Sequence, residues 1–296
     1  MSSPAVADGI VYFGSDDYYI YALDAAKGTK LWSFDTKGLV ISSPVVSKGI
    51  VYVGSGHNFF YALHALNGRL RLHFKSIYPT YSAPAVSDGI VYFSNSNGEL
   101  YAVDGNARSW LREHEIRPYW IQLWLMGVPG LSPPPPQSGF LWELVVGKTS
   151  GSSAVVTDDT LYIGSDNKVV GVGTASSSSP VVTDDTLYTG PASSSSPVVT
   201  DDTLYIGSNN KLVAVDLQSH QKCWEFETEG AIRSSPAVVD NTVYVGSEDG
   251  RLYAVDTVTG KKIWDILTGD NITSSPAVAD GTIYIGSHDG NLYAIK

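Results

Sequence analysis

Apolar residues come in short bursts along this chain, separated by polar turns, and the bursts recur. In the first unit, residues 4–6 are short and extended, Ile10–Gly14 is β-branched and aromatic, Tyr19–Asp24 follows a polar turn, and residues 31–34 close the unit. Runs of this length and composition between turn residues predict strands, here four within about 40 residues. The stretches IVYFG (10–14) and TIYIG (282–286) are apolar on both faces. That suits a small sheet sandwiched between neighbours better than one with a wet side. Outside residues 107–140 no long stretch has helical periodicity.

The same phrase, Ser-Ser-Pro followed by a short strand, a turn and a longer strand, returns throughout. Taking its proline, or Ala154 in that place, the anchors fall at 4, 44, 84, 154, 180, 197, 236 and 276. The spacing is 39 or 40 except where one interval stretches to 70 and two shrink to 26 and 17, the latter two together filling one ordinary repeat. A fixed period of this length with four strands per unit predicts an all-β fold, a β-propeller of four-stranded antiparallel blades. The expectation is about seven blades, with eight as the alternative, in one domain over residues 1–296. A 17-residue copy has room for two strands, so 178–192 is expected to complete the irregular repeat that begins at Ser152. Asn97-Gly98, Asp249-Gly250 and Asp289-Gly290, between second and third strands, predict type I′ hairpin turns.

The ends of the repeats carry a second regularity. Asp24 precedes Trp32, Asp216 precedes Trp224 and Asp256 precedes Trp264 by eight residues each, with Gly28 and Gly260 halfway. In these stretches the chain resembles the tryptophan-docking repeats of the pyrroloquinoline-quinone (PQQ)-type β-propellers. The resemblance implies that each tryptophan packs on the adjoining blade and that Trp142, in LWELVVG, plays the same part. His64 and Leu72 stand where Asp and Trp belong, and His220 replaces the glycine, so the second outer strand is expected to dock less firmly.

The enzymes of that family are quinone-dependent dehydrogenases of alcohols or sugars, with calcium ligands, a catalytic carboxylate and, in one branch, adjacent cysteines in a disulfide. With Cys223 as its one cysteine, this chain cannot form that disulfide, and no non-repeating cluster of acid, amide and aromatic residues stands out. The expectation is a noncatalytic scaffold with no catalytic residue, metal or cofactor. The alternatives are such a dehydrogenase, with PQQ and calcium, or the sensor propeller of a larger signalling protein. The family resemblance further suggests the cell envelope or the extracellular space.

Charge narrows the partners. Nineteen Lys and Arg against 30 Asp and Glu give a net charge of −11, which repels nucleic acid and anionic lipid surfaces. The longest apolar run, residues 119–128, is about half of what spans a bilayer. The six histidines form no close metal-ligand pair, and the Asp-Asp pairs at 158–159, 184–185 and 201–202 read as turn chemistry. The candidate binding positions lie instead in the loops entering each innermost strand, where the frame is constant and the residue before the anchor phrase changes: Ile41, Tyr81, Arg233 and Thr273. Constant frames with variable tips suit a surface for a protein or small-molecule ligand at the channel face. Arg233, with its planar fork, is the first candidate for an acidic or carbonyl group.

Two features stand apart. Residues 107–140 interrupt the third repeat with an aromatic, proline-rich insertion containing Trp110, Trp120, Trp124 and Pro133 to Pro136. It reads as a partner-binding or membrane-touching arm, as aromatics packed on the propeller's outside, or as the trace of a rearranged coding sequence. The final repeat stops after its third strand, which predicts a fragment whose upstream segment carries the missing outer strand and whose open edge can take a strand from a partner; the sequence as given shows no leader, as it would also if one had been removed.

Overall fold

The computed structural model describes residues 2–147, 153–157, 160–165, 168–173, 181–188, 195–200, 202–219, 221–279 and 281–296. Seven antiparallel sheets are seen among them, six of four strands and one of three, and they are the blades of a β-propeller. The chain falls into two compact units, residues 1–95 with 100–143, and residues 96–99 with 144–296.

The first unit holds three blades. The first comprises β1 (Ala5–Ala7), β2 (Ile10–Gly14), β3 (Tyr19–Asp24) and β4 (Lys30–Asp35); the second β5 (Val45–Ser47), β6 (Ile50–Ser55), β7 (Phe59–His64) and β8 (Leu70–Lys75). The third has β9 (Ala85–Ser87), β10 (Ile90–Ser94) and β11 (Glu99–Asp104), then helix α1 (Glu113–Leu125) before its outer strand β12 (Phe140–Val145). Apolar residues on both faces of the middle strands interlock neighbouring blades, with Phe60 stacked on Phe93 at 4.1 Å between ring centroids.

The second unit begins with β13 (Val155–Thr157), β14 (Thr160–Ser165), β15 (Lys168–Gly173) and β16 (Val181–Tyr188). Next come β17 (Val198–Thr200), β18 (Thr203–Ser208), β19 (Lys211–Asp216) and β20 (Lys222–Glu227). The sixth blade is β21 (Ala237–Val239), β22 (Thr242–Gly246), β23 (Arg251–Asp256) and β24 (Lys262–Leu267). The last is the three-stranded sheet of β25 (Ala277–Ala279), β26 (Thr282–Gly286) and β27 (Leu292–Ile295). The short copy does complete the irregular blade: β16 pairs with β15 from Lys168 opposite Tyr188 to Gly173 opposite Val181.

The turns differ from the expectation in one respect. Positive φ at two successive residues, the mark of a type I′ turn, occurs at Asp8-Gly9, Lys48-Gly49 and Asp88-Gly89, between first and second strands. Between second and third strands Gly98, Gly250 and Gly290 are left-handed, whereas Asn97, Asp249 and Asp289 are not among the positive-φ residues. The reason is side-chain bonding: Asp249 and Asp289 accept the amides of Arg251 and Asn291 two residues on, an Asx turn that closes the hairpin without a strained aspartate.

The tryptophan spacing has a direct structural cause. Asp24, Asp216 and Asp256 each turn a side-chain oxygen onto the amides two and three residues later, shaping the turn before the outer strand. Gly28 and Gly260 then take positive φ and donate back to the Asp carbonyl. The bare face of the turn glycine receives the tryptophan of the blade before: a Cβ at Gly260 would stand 2.7 Å from the Trp224 ring, and one at Gly68 2.7 Å from Trp32. The indoles donate to carbonyls of the same turns, Trp32 to Ala65 at 2.7 Å and Trp224 to Thr257 at 2.8 Å. A tyrosine of its own blade flanks each docking ring at 5.8 or 5.9 Å: Tyr12 beside Trp32, Tyr92 beside Trp142, Tyr205 beside Trp224 and Tyr244 beside Trp264. His220 lies outside the described residues.

In the second blade Leu72 is fully buried at the tryptophan position, and the Tyr52 hydroxyl takes the next turn's carbonyl, that of Gly105, at 3.1 Å. Its outer strand is nevertheless held, because the insertion bonds to the edge of β8. The Ser109 amide donates to Arg71 O, the His73 amide to Ser109 Oγ, and the Gln137 side-chain amide bonds both ways with the Lys75 backbone. The insertion therefore supplies hydrogen bonds that a bare edge strand would leave to solvent or to another chain. It replaces the ordinary turn before the outer strand: the Asp104 amide donates to Gly139 O, where Asp24 donates to Thr29 O.

Two outcomes follow. Trp32→Ala removes a buried ring and its hydrogen bond, and should cost about 3–5 kcal/mol in chemical denaturation, with Leu72→Ala at about 2–5 kcal/mol; negligible shifts in both would mean that the outer strands are not docked. His73 sits between Phe59, Tyr61 and His114, and neither ring nitrogen has a hydrogen-bond partner. Burial, helped by His114, pushes its pKa down from 6.5 to about 4. The folded state thus disfavours a proton that the unfolded chain accepts, so the stability present above pH 6.5 should decline between 6.5 and about 4. His73→Leu should flatten urea-denaturation midpoints across that window relative to the parent protein.

Candidate ligand-binding face

Each loop entering an innermost strand is fixed by backbone bonds and one apolar plug. The plugs are Val40, Thr80, Ile232 and Ile272, all buried. Each presses on a glycine of the preceding blade's second strand; a Cβ added to Gly246 would come 2.2 Å from Ile272 Cγ2. The first serine of the phrase accepts the backbone amide twelve residues on, as Ser42 does from Gly54, Ser195 from Gly207 and Ser234 from Gly246. The second serine receives the amide of its counterpart one blade earlier: Ser3 donates to Ser43 Oγ, Ser196 to Ser235 Oγ and Ser235 to Ser275 Oγ, at 2.9 to 3.0 Å. These bonds leave the residue between plug and serines to point where the frame aims it.

Those residues are the four candidates. In the first unit Ile41 and Tyr81 are half-buried, and Tyr81 lies close over Gly56, 3.4 Å from where a Cβ would stand. In the second unit Arg233 is exposed and forms an ion pair with Glu248, while Thr273 Oγ1 hydrogen-bonds His288 Nε2 at 2.8 Å. The structure joins Arg233 and Thr273 through successive blades of one unit, and Ile41 and Tyr81 through successive blades of the other. Glu248 and His288 were not singled out from sequence. Both lie 15 residues after their tip, at the turn between second and third strands, and that recurring spacing is the signal that could have found them.

The acids at these turns serve the frame. Asp249 accepts from the Tyr253 hydroxyl and the Glu229 amide, and Asp289 from the Tyr293 hydroxyl and the Gly269 amide. The tyrosine bond first, with the amides, holds the Asp289 carboxyl down at about 2; burial and the Asp249 bond push the Tyr253 hydroxyl up. Carboxylates held in this way are acceptors already filled, poor as general bases or open metal ligands. No three His, Cys, Asp or Glu side chains converge to hold a metal among the described residues. Asp249 and Asp289 are thus committed to shaping their turns. Cys223 is exposed on the outer strand β20.

Known proteins place this geometry. A family model described as outer membrane protein assembly factor BamB matches residues 1–47, 19–265 and 173–296. Among solved structures the chain is similar to BamB from Moraxella catarrhalis, with 17% identity and a TM-score of 0.70, covering 99% of this chain and 81% of that one. It is also similar to the computationally designed Ika8 protein, with 15% identity and a TM-score of 0.61, covering 99% and 94%. At these identities the structures speak for the fold alone. No curated protein matches the chain. The family model spans the chain from end to end, through the tryptophan-docking blades described above, and the protein belongs to the BamB-like family of PQQ-repeat β-propellers.

Proposed function

We propose that the protein is a noncatalytic scaffold that binds protein partners through its loop tips, Ile41 and Tyr81 in the first unit and Arg233 and Thr273 in the second, and that it works without a quinone or metal. The observation that carries this reading is the division of labour in these loops. Serines, glycines, plugs and turn aspartates are all engaged in holding the frame, while the tips offer an aliphatic, an aromatic, an ion pair and a hydroxyl-imidazole pair. Such a set can recognise a surface but holds no nucleophile activated by a free base. The assembly-factor description of the family agrees with it. The outer edge of β27, in the three-stranded sheet, offers backbone groups to which a partner's strand could add. No described helix is long and apolar enough to cross a membrane.

The test places a photo-crosslinking amino acid at Tyr81, at Thr273 or, as a control, at the exposed Lys27 turn. A defined partner protein captured from both tips, and lost in Arg233→Glu without a melting shift, is the expected result. Reduction of a redox dye with alcohols or aldose sugars after addition of PQQ and calcium would overturn it.

A further inference from the structure

Helix α1 leaves a run of large apolar residues exposed on its outward side, beside Glu115 and Gln122. Ile116, Tyr119, Leu123 and Met126 recur at helical spacing and are exposed, Tyr119 and Met126 by 70% and 69%. Trp124, Leu125 and Val128 widen the strip. The helix has another side that does pack: His114 meets His73, and Glu113 accepts the Ser138 amide. The Trp120 indole donates to Ser132 O, and Arg117 to Pro135 O, binding the proline segment along the helix. The strip is thus a built, outward-facing surface larger than the single exposed hydrophobes normal on soluble proteins.

Two further observations decide what covers it. Most of the apex amides are satisfied from within: those of Met126, Gly127, Val128 and Leu131 bond to carbonyls within 122–128, and Pro129 has no amide, which lowers the cost of taking this backbone out of water. Charge is also sorted. No residue from 118 to 142 is charged, yet Arg69, Arg71, Arg108, Arg112 and Arg117 account for five of the seven arginines in an acidic chain. Arg69, Arg71 and Arg108 line one cleft with His64 and Ser109 at the root of the insertion. A neutral aromatic and aliphatic tip with a basic root complements a lipid interface, where Trp and Tyr lie at headgroup depth and guanidinium groups meet phosphates.

We propose that α1 and its apex are a seat on a phospholipid bilayer surface. Tyr119, Leu123, Trp124, Leu125 and Met126 enter the boundary between headgroups and acyl chains, and the arginine-lined cleft takes a lipid phosphate. Thirteen residues make a helix of about 20 Å, short of the roughly 30 Å hydrocarbon core, so it lies in the interface rather than across it. The proposal stands apart from the tip-binding reading, whose residues it does not use.

The test is flotation of the full chain with vesicles of phosphatidylcholine alone and of phosphatidylcholine mixed with phosphatidylglycerol. A brominated lipid reports the depth of Trp124. The protein should float with both vesicles and be quenched by the brominated lipid, with part of the quenching lost in Trp124→Phe. Tyr119→Ser, Leu125→Ser and Met126→Ser combined, all at exposed sites, should abolish flotation while circular dichroism and melting stay unchanged. Arg69→Gln and Arg108→Gln should each weaken binding to the mixed vesicles about fivefold. Failure of the parent protein to float with either vesicle overturns the proposal, as does equal flotation of the triple serine variant. Dimers that the serine variant loses, with no vesicle binding, would instead assign the strip to a second copy of the chain.

Discussion

A docking tryptophan imposes its demands on two blades at once. Its ring needs a flat apolar bed, and its N–H, once half-buried, needs an acceptor, since an unpaired buried donor costs about 1–3 kcal/mol. Trp32 and Trp224 find both on the next blade's outer turn, the bed at the turn glycine and the acceptor at the carbonyl three residues before it. The glycine must lack a Cβ to admit the ring, and it must accept positive φ to close the turn on its aspartate. One residue thereby meets a steric demand from the neighbouring blade and a conformational demand from its own. The interval from aspartate to glycine to tryptophan in each repeat is the imprint of that double constraint, and blade packing along each unit propagates through it.

Position in the blade overrides local sequence. The octapeptide VVTDDTLY occurs at 181–188 and again at 198–205. In the second place it breaks into β17 and the start of β18, with Asp202 just before β18; in the first it is one strand, β16, with an irregularity in its pairing between Val182 and Thr186. Identical residues have identical propensities, so the difference lies in what faces them. β15 offers an outer edge for a strand to fill, and β16 fills it with two extra residues between Val182 and Thr186, where the outer strands of the regular blades carry one extra residue at Ala214/Val215 and Ala254/Val255. β propensity is context of this kind more than a property of the segment. The second blade shows the complement: where Leu72 stands for tryptophan, the edge of β8 is bonded by Ser109 and Gln137 from a different blade's insertion.

The fold was legible because its signals are periodic. Strand bursts, the anchor phrase and the aspartate-to-tryptophan interval all repeat at the blade length, and even the irregular blade yielded to counting residues. What stayed hidden depends on contacts between segments. The I′ turns sit at Asp8-Gly9 and its equivalents rather than at Asp249-Gly250, because an aspartate whose side chain caps the turn need not itself be left-handed. The firm hold on β8 could not be foreseen from Leu72, since Ser109 and Gln137 carry no motif. Of the candidate face, the four tips could be chosen from their variation within a constant frame. Their partners Glu248 and His288 show only as a shared 15-residue spacing from the tips, because neither the ion pair nor the hydrogen bond leaves a trace in either turn alone.

The insertion shows how a closed repeat can carry something the repeat does not determine. A segment placed at the turn before an outer strand interrupts no ladder inside the blade, because the Asp104 amide still meets a carbonyl at the mouth of the detour, as it would in a short turn. Loop length is cheap in free energy, each doubling costing about 0.6 kcal/mol, and the β8 bonds and the helix–proline contacts offset that cost. The same contacts fix which side of α1 faces inward, through Glu113, His114, Arg117 and Trp120. With Glu113, Arg117 and Trp120 bonded to the insertion, most of the large apolar side chains are left outward, alongside Glu115 and Gln122. The surface chemistry of the arm is therefore a consequence of how it is anchored.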